Sequence, residues 1–188
     1  IAAGGLGIFV WQKYLTDVPP LPPREALFAV NRAPGIRFQD ASGAQIAVRG
    51  PRYGERVTLD QLPAYVPRAF LAAEDRRFYQ HGALDLQGIG RAAWINWRAG
   101  RIVQGGSTIT QQISKGLFLT PDQTAKRKLQ EAVMARRLFK VLSRDEILEL
   151  YLNRIFFGAN TYGIDGASRA YFGHPASQMT IAESALLA

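Results

Sequence analysis

The segment Gly105-Gly106-Ser107-Thr108-Ile109-Thr110-Gln111-Gln112 places a flexible glycine pair and two hydroxyl residues directly before a run with helical character. Ser and Thr favour helix N-caps, because their side-chain oxygens accept hydrogen bonds from the first backbone N–H groups. The pattern predicts a helix over residues 107–118. A helix N-terminus near Lys115, Arg127 and Lys128 also suits phosphate oxygens, but the octapeptide by itself favours a capped turn. It is not a Walker loop, since no Gly-Lys-Ser/Thr follows at the required spacing.

Other parts of the chain also carry clear sequence signals for the start of a helix. The capping-box pattern, a hydroxyl residue followed three positions later by Gln or Glu, occurs at Thr120 to Gln123, Ser143 to Glu146 and Thr180 to Glu183. These starts, with the apolar periodicity, predict helices over about 63–74, 86–99, 121–142, 144–153 and 181–188. Strands do not alternate with the helices, which argues against a parallel sheet. The predicted fold class is therefore mainly α.

The helix predicted over residues 121–142 has an apolar half. This half carries Ala125, Leu129, Ala132, Val133, Ala135, Phe139 and Leu142. We expect it to face the core, with Lys126, Arg137 and Lys140 at the opposite margin.

The composition excludes several classes of protein. The chain has 188 residues, of which 47% are hydrophobic and none is Cys. These values exclude a disordered chain, a disulfide scaffold, thiolate metal sites and Cys nucleophiles. The net charge of +8 is uneven, because residues 86–144 hold 11 basic and 2 acidic residues (net +9) and the remainder holds 12 and 13 (net −1). An anionic partner is therefore expected at that segment.

The first residues are apolar and uncharged up to Gln12. A membrane span needs roughly 20 apolar residues, so we predict the end of a truncated transmembrane helix over residues 1–14, with Trp11 and Tyr14 at the membrane interface. A buried helix and the end of a signal peptide are the alternatives.

A stalk is predicted after this helix. Val18 to Pro23 contains four prolines, which favour a stiff, extended spacer. Residues 36–48 alternate around the turn formers Asp40 to Gly43 and predict a small β-hairpin. We assign residues 15–61 to this stalk and β region, and residues 62–188 to the main domain, expected to be truncated in mid-helix.

Two carboxylates, Glu74 and Asp75, end an apolar predicted helix. Acids at this end oppose the helix dipole, and burial could make one of them a general base. Simple pairing with the arginines that follow is the alternative. A metal site at His81 has little support, since His174 is the only other His and no spacing motif links the two.

Glu131 is the only acid between residues 123 and 143. Arg127 lies one turn earlier, so a plain i, i+4 ion pair worth about 0.3 to 0.5 kcal/mol is one interpretation. A second active-site carboxylate among cations is the other. Asn153 is suited to a helix C-cap.

Together these patterns resemble, in order and spacing, the five motifs of the peptidoglycan glycosyltransferases, the transglycosylase domains of class A penicillin-binding proteins and their monofunctional relatives. The resemblance covers about residues 62–188. The matching positions are Glu74-Asp75 with Phe78, His81 and Asp85, then Gly105 to Gln112, then Arg127-Lys128 with Glu131, then Ile147 to Asn153 with Phe157-Gly158, and Tyr171-Phe172-Gly173.

The resemblance implies a lysozyme-like helical domain on the extracytoplasmic face of the bacterial cytoplasmic membrane. It would polymerise lipid II with inversion at the anomeric carbon and release polyprenyl pyrophosphate. Glu74 is implied as the base for the acceptor 4-hydroxyl, and Glu131 as the second catalytic carboxylate. The implied substrate-binding residues are Asp75, Phe78, His81, Ser107, Thr108, Gln111, Gln112, Lys115, Arg127, Lys128 and Asn153.

The implied cofactor is a divalent cation, Mg²⁺ or Mn²⁺, with no organic cofactor. Lipid II, the nascent glycan chain, the membrane and other cell-wall synthesis proteins are the implied partners, and nucleic acid is not among them. Leaving-group charge is best stabilised by fixed cations, which we expect Lys115, Arg127 and Lys128 to supply. The surroundings of Glu74 should instead be poor in cations, whereas we expect Glu131 to stay ionised and to orient the cations.

The chain departs from the family pattern at two positions. Gly82 follows His81 one position early, and His174 stands where Lys is common, which would make that contact depend on pH.

Two other functions compete with this interpretation. A lysozyme-like hydrolase also needs a catalytic Glu, but it has no use for a pyrophosphate-binding cation cluster. A nucleic-acid-binding module is suggested by the pI of about 10.1 and by Trp94 and Trp97 near arginines, although two Trp at this spacing are more commonly core residues.

Overall fold

The computed structural model describes residues 18–28, 36–118 and 124–188. Their α-helices are α1 (Arg24–Phe28), α2 (Tyr65–Glu74), α3 (Leu86–Ala99), α4 (Ile109–Phe118), α5 (Ala125–Val141), α6 (Arg144–Arg154), α7 (Ile164–Tyr171) and α8 (Ile181–Leu187). The strands are β1 (Ile36–Gln39), β2 (Gln45–Arg49), β3 (Arg52–Tyr53) and β4 (Thr161–Tyr162), and Leu59–Gln61 and Ala176–Gln178 are short 3₁₀ turns. The predicted mainly α class is confirmed.

Most of the predicted elements are present. β1 and β2 form the expected antiparallel hairpin, and the Asp40 carboxylate accepts bonds from Ser42 N and Ala44 N at 2.9 Å in its turn. Sequence analysis missed α1, α7 and the parallel pairing of β3 with β4, because these elements are too short for periodicity to identify. The predicted transmembrane segment over residues 1–14 lies outside the described residues. Within the described ranges, no helix has the length and apolar character that a membrane span requires.

The chain forms two compact units. The first comprises residues 1–23 and 77–147, and the second comprises residues 24–76 and 148–188. In the first unit, Arg137 Nη1 donates to the Pro19 carbonyl at 2.8 Å. This bond ties the proline-rich segment to α5.

Helix α5 corrects two predictions. It begins at Ala125, not at residue 121, because Thr124 has an extended backbone and its hydroxyl accepts from Arg127 N. The cap proposed at Thr120 lies outside the described residues. The predicted core face is also wrong for five of its seven residues, since only Ala135 and the C-cap residue Leu142 are buried. The buried residues are Arg127, Gln130, Glu131, Met134, Ala135 and Leu138, a stripe about a third of a turn away from the apolar half. Charged residues can occupy this buried stripe because they pair with one another.

In the second unit, the buried carboxylate of Asp165 joins three chain segments. It accepts from Glu55 N at 2.8 Å, Ala176 N at 2.9 Å and Arg169 Nε at 2.7 Å. Burial acts to raise the pKa of Asp165, but these donors outweigh it and hold the pKa below its ordinary value. Close approach also requires glycine at position 54, where a Cβ would lie 2.2 Å from Gly166 N.

Candidate active site

Glu74 ends α2 beside an aromatic cavity of the second unit. The cavity holds about 580 Å³ and is lined by Phe70, Glu74, Tyr151, Ile155, Phe156, Phe157, Tyr171, Phe172, Leu186, Leu187 and Ala188. Glu74 is exposed there. No Lys or Arg is among the described residues that line this cavity.

Tyr151 is a residue of this cavity that sequence analysis did not single out. Its side chain is 2% exposed, and its hydroxyl has no hydrogen-bond partner among the described residues. Burial, with the nearby charge of Glu74, raises the pKa of Tyr151 well above its ordinary value. The phenol therefore stays protonated and keeps a donor next to the carboxylate. The available signal in the sequence was a tyrosine flanked by Leu150 and Leu152.

Glu131 has the opposite environment, inside the first unit. It is 2% exposed, and its two oxygens lie 2.7 Å from Arg127 Nη1 and 2.7 Å from Lys128 Nζ. The i, i+4 ion pair of the first interpretation exists, and a second cation also contacts the carboxylate. The role of Glu131 as a second active-site carboxylate stays a prediction. Lys128 Nζ donates in addition to Ser107 Oγ at 2.8 Å. The cluster thus joins α5 to the segment that precedes α4.

The guanidinium of Arg127 is not fully satisfied. Its contact with Glu131 is close but poorly directed, so Nη1 forms no regular hydrogen bond, and Nε has no partner among the described residues. Buried polar groups are normally hydrogen-bonded. A buried guanidinium with spare donors is therefore well suited to an anionic ligand.

The residues of the glycine-rich segment mainly organise the start of α4. Thr108 Oγ1 accepts from Gln111 N at 3.2 Å, and Gln111 Oε1 accepts from Thr108 N at 3.0 Å. This reciprocal capping, with Thr108 and Gln111 buried, favours the capped-turn interpretation. Gln112 is half-buried on α4, and Lys115 is exposed in its last turn.

The loop after α2 carries Phe78 and His81. Phe78 is 1% exposed, and the centre of its ring lies 6.4 Å from that of His81 in an edge-on contact. The buried Phe78 ring therefore packs against the His81 side chain. Asp85 closes the loop by capping α3 and pairing with Arg77. Burial acts to raise the pKa of Asp85, but the Gly88 N–H and the Arg77 guanidinium hold it below its ordinary value. Thr108 Oγ1 donates to the Ala83 carbonyl at 2.9 Å and ties the loop to α4.

Two further predicted site residues belong to the second unit. Asn153 lies in the last turn of α6, where its amide donates to the carbonyls of Val57 at 2.7 Å and Glu149 at 2.8 Å and accepts from Val57 N at 2.9 Å. These bonds hold the segment before α2, and the helix continues to Arg154, so Asn153 is not its C-cap. Asp75 is buried at the C-cap of α2.

His174 has a partner of its own. Its Nε2 lies 3.1 Å from Glu183 Oε1, and the backbone carbonyl of Pro175, together with Glu183, raises the pKa of His174 above its ordinary value. Because Glu183 also caps α8, the site of the family's usual Lys is here linked to that helix.

The resemblance implies a divalent cation, which would need several oxygen or nitrogen ligands. No group of three or more His, Asp or Glu side chains that could hold a metal ion occurs in residues 18–28, 36–118 and 124–188. The described residues therefore do not fit a metal centre built from protein ligands alone.

Comparison with known proteins gives consistent matches along the chain. The family model described as Transglycosylase matches residues 42–188, and the model described as Penicillin-binding protein N-terminus matches residues 1–41. Penicillin-binding protein 1A of Escherichia coli K12 is 40% identical over 188 residues, 100% of this chain and 22% of that protein. Penicillin-binding protein 1A of Aquifex aeolicus is 45% identical over 184 residues, 98% of this chain and 25% of that protein.

A relative from a third organism gives a similar match. Penicillin-binding protein 1F of Bacillus subtilis is 42% identical over 152 residues, 81% of this chain and 21% of that protein. The chain spans between a fifth and a quarter of the length of these curated relatives.

Proposed function

Because the chain belongs to the transglycosylase family, we propose that it is a peptidoglycan glycosyltransferase, which polymerises lipid II and releases polyprenyl pyrophosphate. The observation that carries this proposal is the contrast between its two carboxylates. Glu74 is accessible beside a cavity whose described lining residues include no Lys or Arg, and Glu131 is buried between Arg127 and Lys128. A glycosyl transfer with an anionic leaving group needs a base for the acceptor hydroxyl and fixed cations for the leaving group.

In the proposed reaction, the Glu74 carboxylate removes the proton from the 4-hydroxyl of the acceptor sugar. The hydroxyl oxygen attacks the anomeric carbon of the lipid-linked donor from the opposite face, so the configuration inverts. The bond from that carbon to the pyrophosphate oxygen breaks, and its electron pair leaves with the pyrophosphate. A base of this kind contributes about 10²- to 10⁴-fold to the rate.

The leaving group needs fixed positive charge. Arg127 has buried donors without a regular partner, and Lys128 is half exposed beside it. In our proposal these residues, with Lys115, stabilise the developing charge on the pyrophosphate. Glu131 holds the two cations of α5 in place and takes no proton from the substrate.

The proposed location is the extracytoplasmic face of the cytoplasmic membrane, with a lysozyme-like arrangement of the helices. A surface of the first unit supports membrane contact. The ring centres of Trp94 and Trp97 lie 5.2 Å apart with a tilt of 36° between the rings. The two residues are 57% and 73% exposed, and Ile102 is 87% exposed. The core placement suggested by the Trp spacing is therefore wrong. Exposed Trp beside Arg91 and Arg98 suits the interface of an anionic membrane.

Product analysis tests the proposed function. The purified chain, in detergent or vesicles, is given radiolabelled lipid II, and the products are separated by size. We expect glycan chains longer than the starting disaccharide, together with release of polyprenyl pyrophosphate. Fragments released from finished cell wall, without chain growth, would identify a hydrolase and overturn the proposal. Salt-sensitive binding to duplex or single-stranded DNA, without chain growth, would favour the nucleic-acid alternative.

A further inference from the structure

The first residue of α6 holds the loop that carries His81. Arg144 Nη2 donates to the His81 carbonyl at 2.8 Å, and Arg144 Nε approaches the Phe78 carbonyl at 3.4 Å. The guanidinium also lies 5.0 Å from the centre of the Phe139 ring. Donors from a charged group make stronger hydrogen bonds than neutral ones. The Arg144 guanidinium therefore contacts the backbone of one loop through two of its nitrogen atoms.

The neighbouring residue of α6 holds the same loop by a second contact. Tyr79 Oη donates to Asp145 Oδ1 at 2.7 Å. Burial, together with the Asp145 carboxylate, raises the pKa of Tyr79 to about 12, so the phenol remains a donor near neutral pH. Two consecutive residues of α6 thus fix three of the four residues from Phe78 to His81.

The orientation of the His81 ring depends on this backbone. His81 Nδ1 lies 2.6 Å from the Gly82 carbonyl oxygen. A carbonyl can only accept a hydrogen bond, so Nδ1 must carry the hydrogen, and the lone pair of the neutral ring is on Nε2. The ring keeps this orientation only while the Gly82 carbonyl stays where it is. That carbonyl belongs to the residue directly after the one that Arg144 holds.

We propose that Arg144 is a positioning residue for His81: by holding the His81 carbonyl, it fixes the adjacent peptide that orients the imidazole, so that the neutral ring carries its proton on Nδ1. The catalytic consequence rests on the proposed function, in which His81 contacts the substrate. The tautomer of His81 itself can be measured without any substrate.

The first experiment measures that tautomer. The sequence contains two histidines, so a ¹⁵N-labelled chain gives two imidazole spectra, and His174→Gln assigns them. At pH 8.5 ordinary imidazoles are neutral, and two-bond ¹H–¹⁵N correlations identify the protonated nitrogen. We expect His81 to carry its proton on Nδ1. In Arg144→Gln, the ratio of the two tautomers should shift toward Nε2–H by about threefold or more, the size of one lost hydrogen bond. The His174 spectrum should not change.

Activity provides the second readout. Arg144→Gln should raise KM for lipid II by about tenfold and change kcat less, because a displaced binding group weakens ground-state and transition-state binding alike. Arg144→Lys keeps one charged donor and should retain most of the Nδ1–H tautomer and most of the affinity. Purely structural damage would instead lower the amount of folded protein and leave KM of the folded fraction unchanged.

An unchanged His81 tautomer in folded Arg144→Gln would overturn the proposal. If that variant does not fold, Arg144→Met takes its place, because it also lacks the donors to the His81 carbonyl, and an unaltered tautomer in it overturns the proposal equally. The two proposals fail separately. A chain that makes no glycan yet shows the tautomer shift rejects the proposed function alone, and a chain that polymerises normally without the shift rejects only the role of Arg144.

Discussion

The surroundings of Glu74 and of Glu131 differ in almost every property that controls a carboxylate. Glu74 is exposed at the end of α2, beside a cavity lined mainly by aromatic and aliphatic side chains. Glu131 is 2% exposed in the middle of α5, with a cation 2.7 Å from each of its oxygens. Both are glutamates on helices. The difference lies in which side chains the fold brings to them.

This comparison assigns different chemistry to identical groups. A buried carboxylate whose two oxygens already face Arg127 and Lys128 serves as the counter-charge that holds these cations in place. A carboxylate beside an apolar wall, accessible to ligands, can accept a proton from a bound hydroxyl. Changing each carboxylate to an amide of the same shape tests whether the two glutamates have these different roles.

The largest effect is expected for Glu74→Gln. The amide cannot accept the acceptor proton, so the rate of lipid II polymerisation should fall by about 10²- to 10⁴-fold. Binding of lipid II, measured by its retention with the protein, should remain largely intact. Glu25→Gln, at an exposed position of α1 in the same unit, is the matched control and should leave the rate unchanged. Full activity of Glu74→Gln would remove Glu74 from the mechanism.

A smaller catalytic effect, with a clear effect on stability, is expected for Glu131→Gln. The neutral amide leaves the buried Arg127 without its counter-charge, and breaking a buried pair costs about 3 kcal/mol. We expect the free energy of unfolding in urea to fall by about that amount and KM for the lipid-linked donor to rise. Unchanged stability would mean that Arg127 finds another partner when the carboxylate is lost.

The double change Arg127→Met with Glu131→Met separates stability from function in this cluster. Replacing a buried ion pair by apolar side chains is often neutral or stabilising, so unfolding in urea should return close to that of the parent chain. Polymerisation should stay impaired, because the buried guanidinium is absent. Recovery of both properties would show that the cluster serves folding alone.

The two regions also differ in how much of them the sequence predicts. The end of α2 at Glu74 follows from the apolar run before it, and the Arg127–Glu131 pair follows from the i, i+4 spacing. The buried face of α5 does not follow, because an apolar wheel assumes that charged residues face solvent. Arg127 and Glu131 reverse that assumption by neutralising each other inside the protein.

Contacts between residues far apart in sequence are the part that periodicity cannot supply. The bonds from Asn153 to Val57 and from Asp165 to Glu55 N each span about a hundred residues. Local patterns carry information over roughly one or two helical turns. Capping boxes are local, so those at Ser143 and Thr180 are predicted correctly, whereas the position of Tyr151 beside the Glu74 cavity is not.

A moderate effect on stability is expected for Tyr151→Phe, which removes a buried hydroxyl from the Glu74 cavity. The Tyr151 hydroxyl is buried and has no hydrogen-bond partner among the described residues, and such a group costs about 1 to 3 kcal/mol. Its removal should therefore raise the free energy of unfolding by about 1 kcal/mol. If the hydroxyl bonds to Glu74 or to substrate during the reaction, kcat should fall in the same variant. A less stable Tyr151→Phe protein would show that the hydroxyl has a partner in solution.

The smallest effect concerns His174, whose partner Glu183 caps the helix that contributes Leu186 and Leu187 to the Glu74 cavity. The pKa of His174 is raised above its ordinary value of 6.5, so its contribution to stability is present below that value and is lost as pH rises through the folded-state pKa. The pKa of Glu183 is lowered below 4.5, so its contribution is present above that value and is lost as pH falls further. The pair should thus stabilise the protein most between about pH 4.5 and 6.5.

The Tm difference between the parent chain and His174→Gln should be largest near pH 5.5 and should shrink by pH 8.5. A difference that grows with pH would mean that neutral His174, through its contacts with Phe172 and Ser168, stabilises this side of the cavity, and that its charge does not.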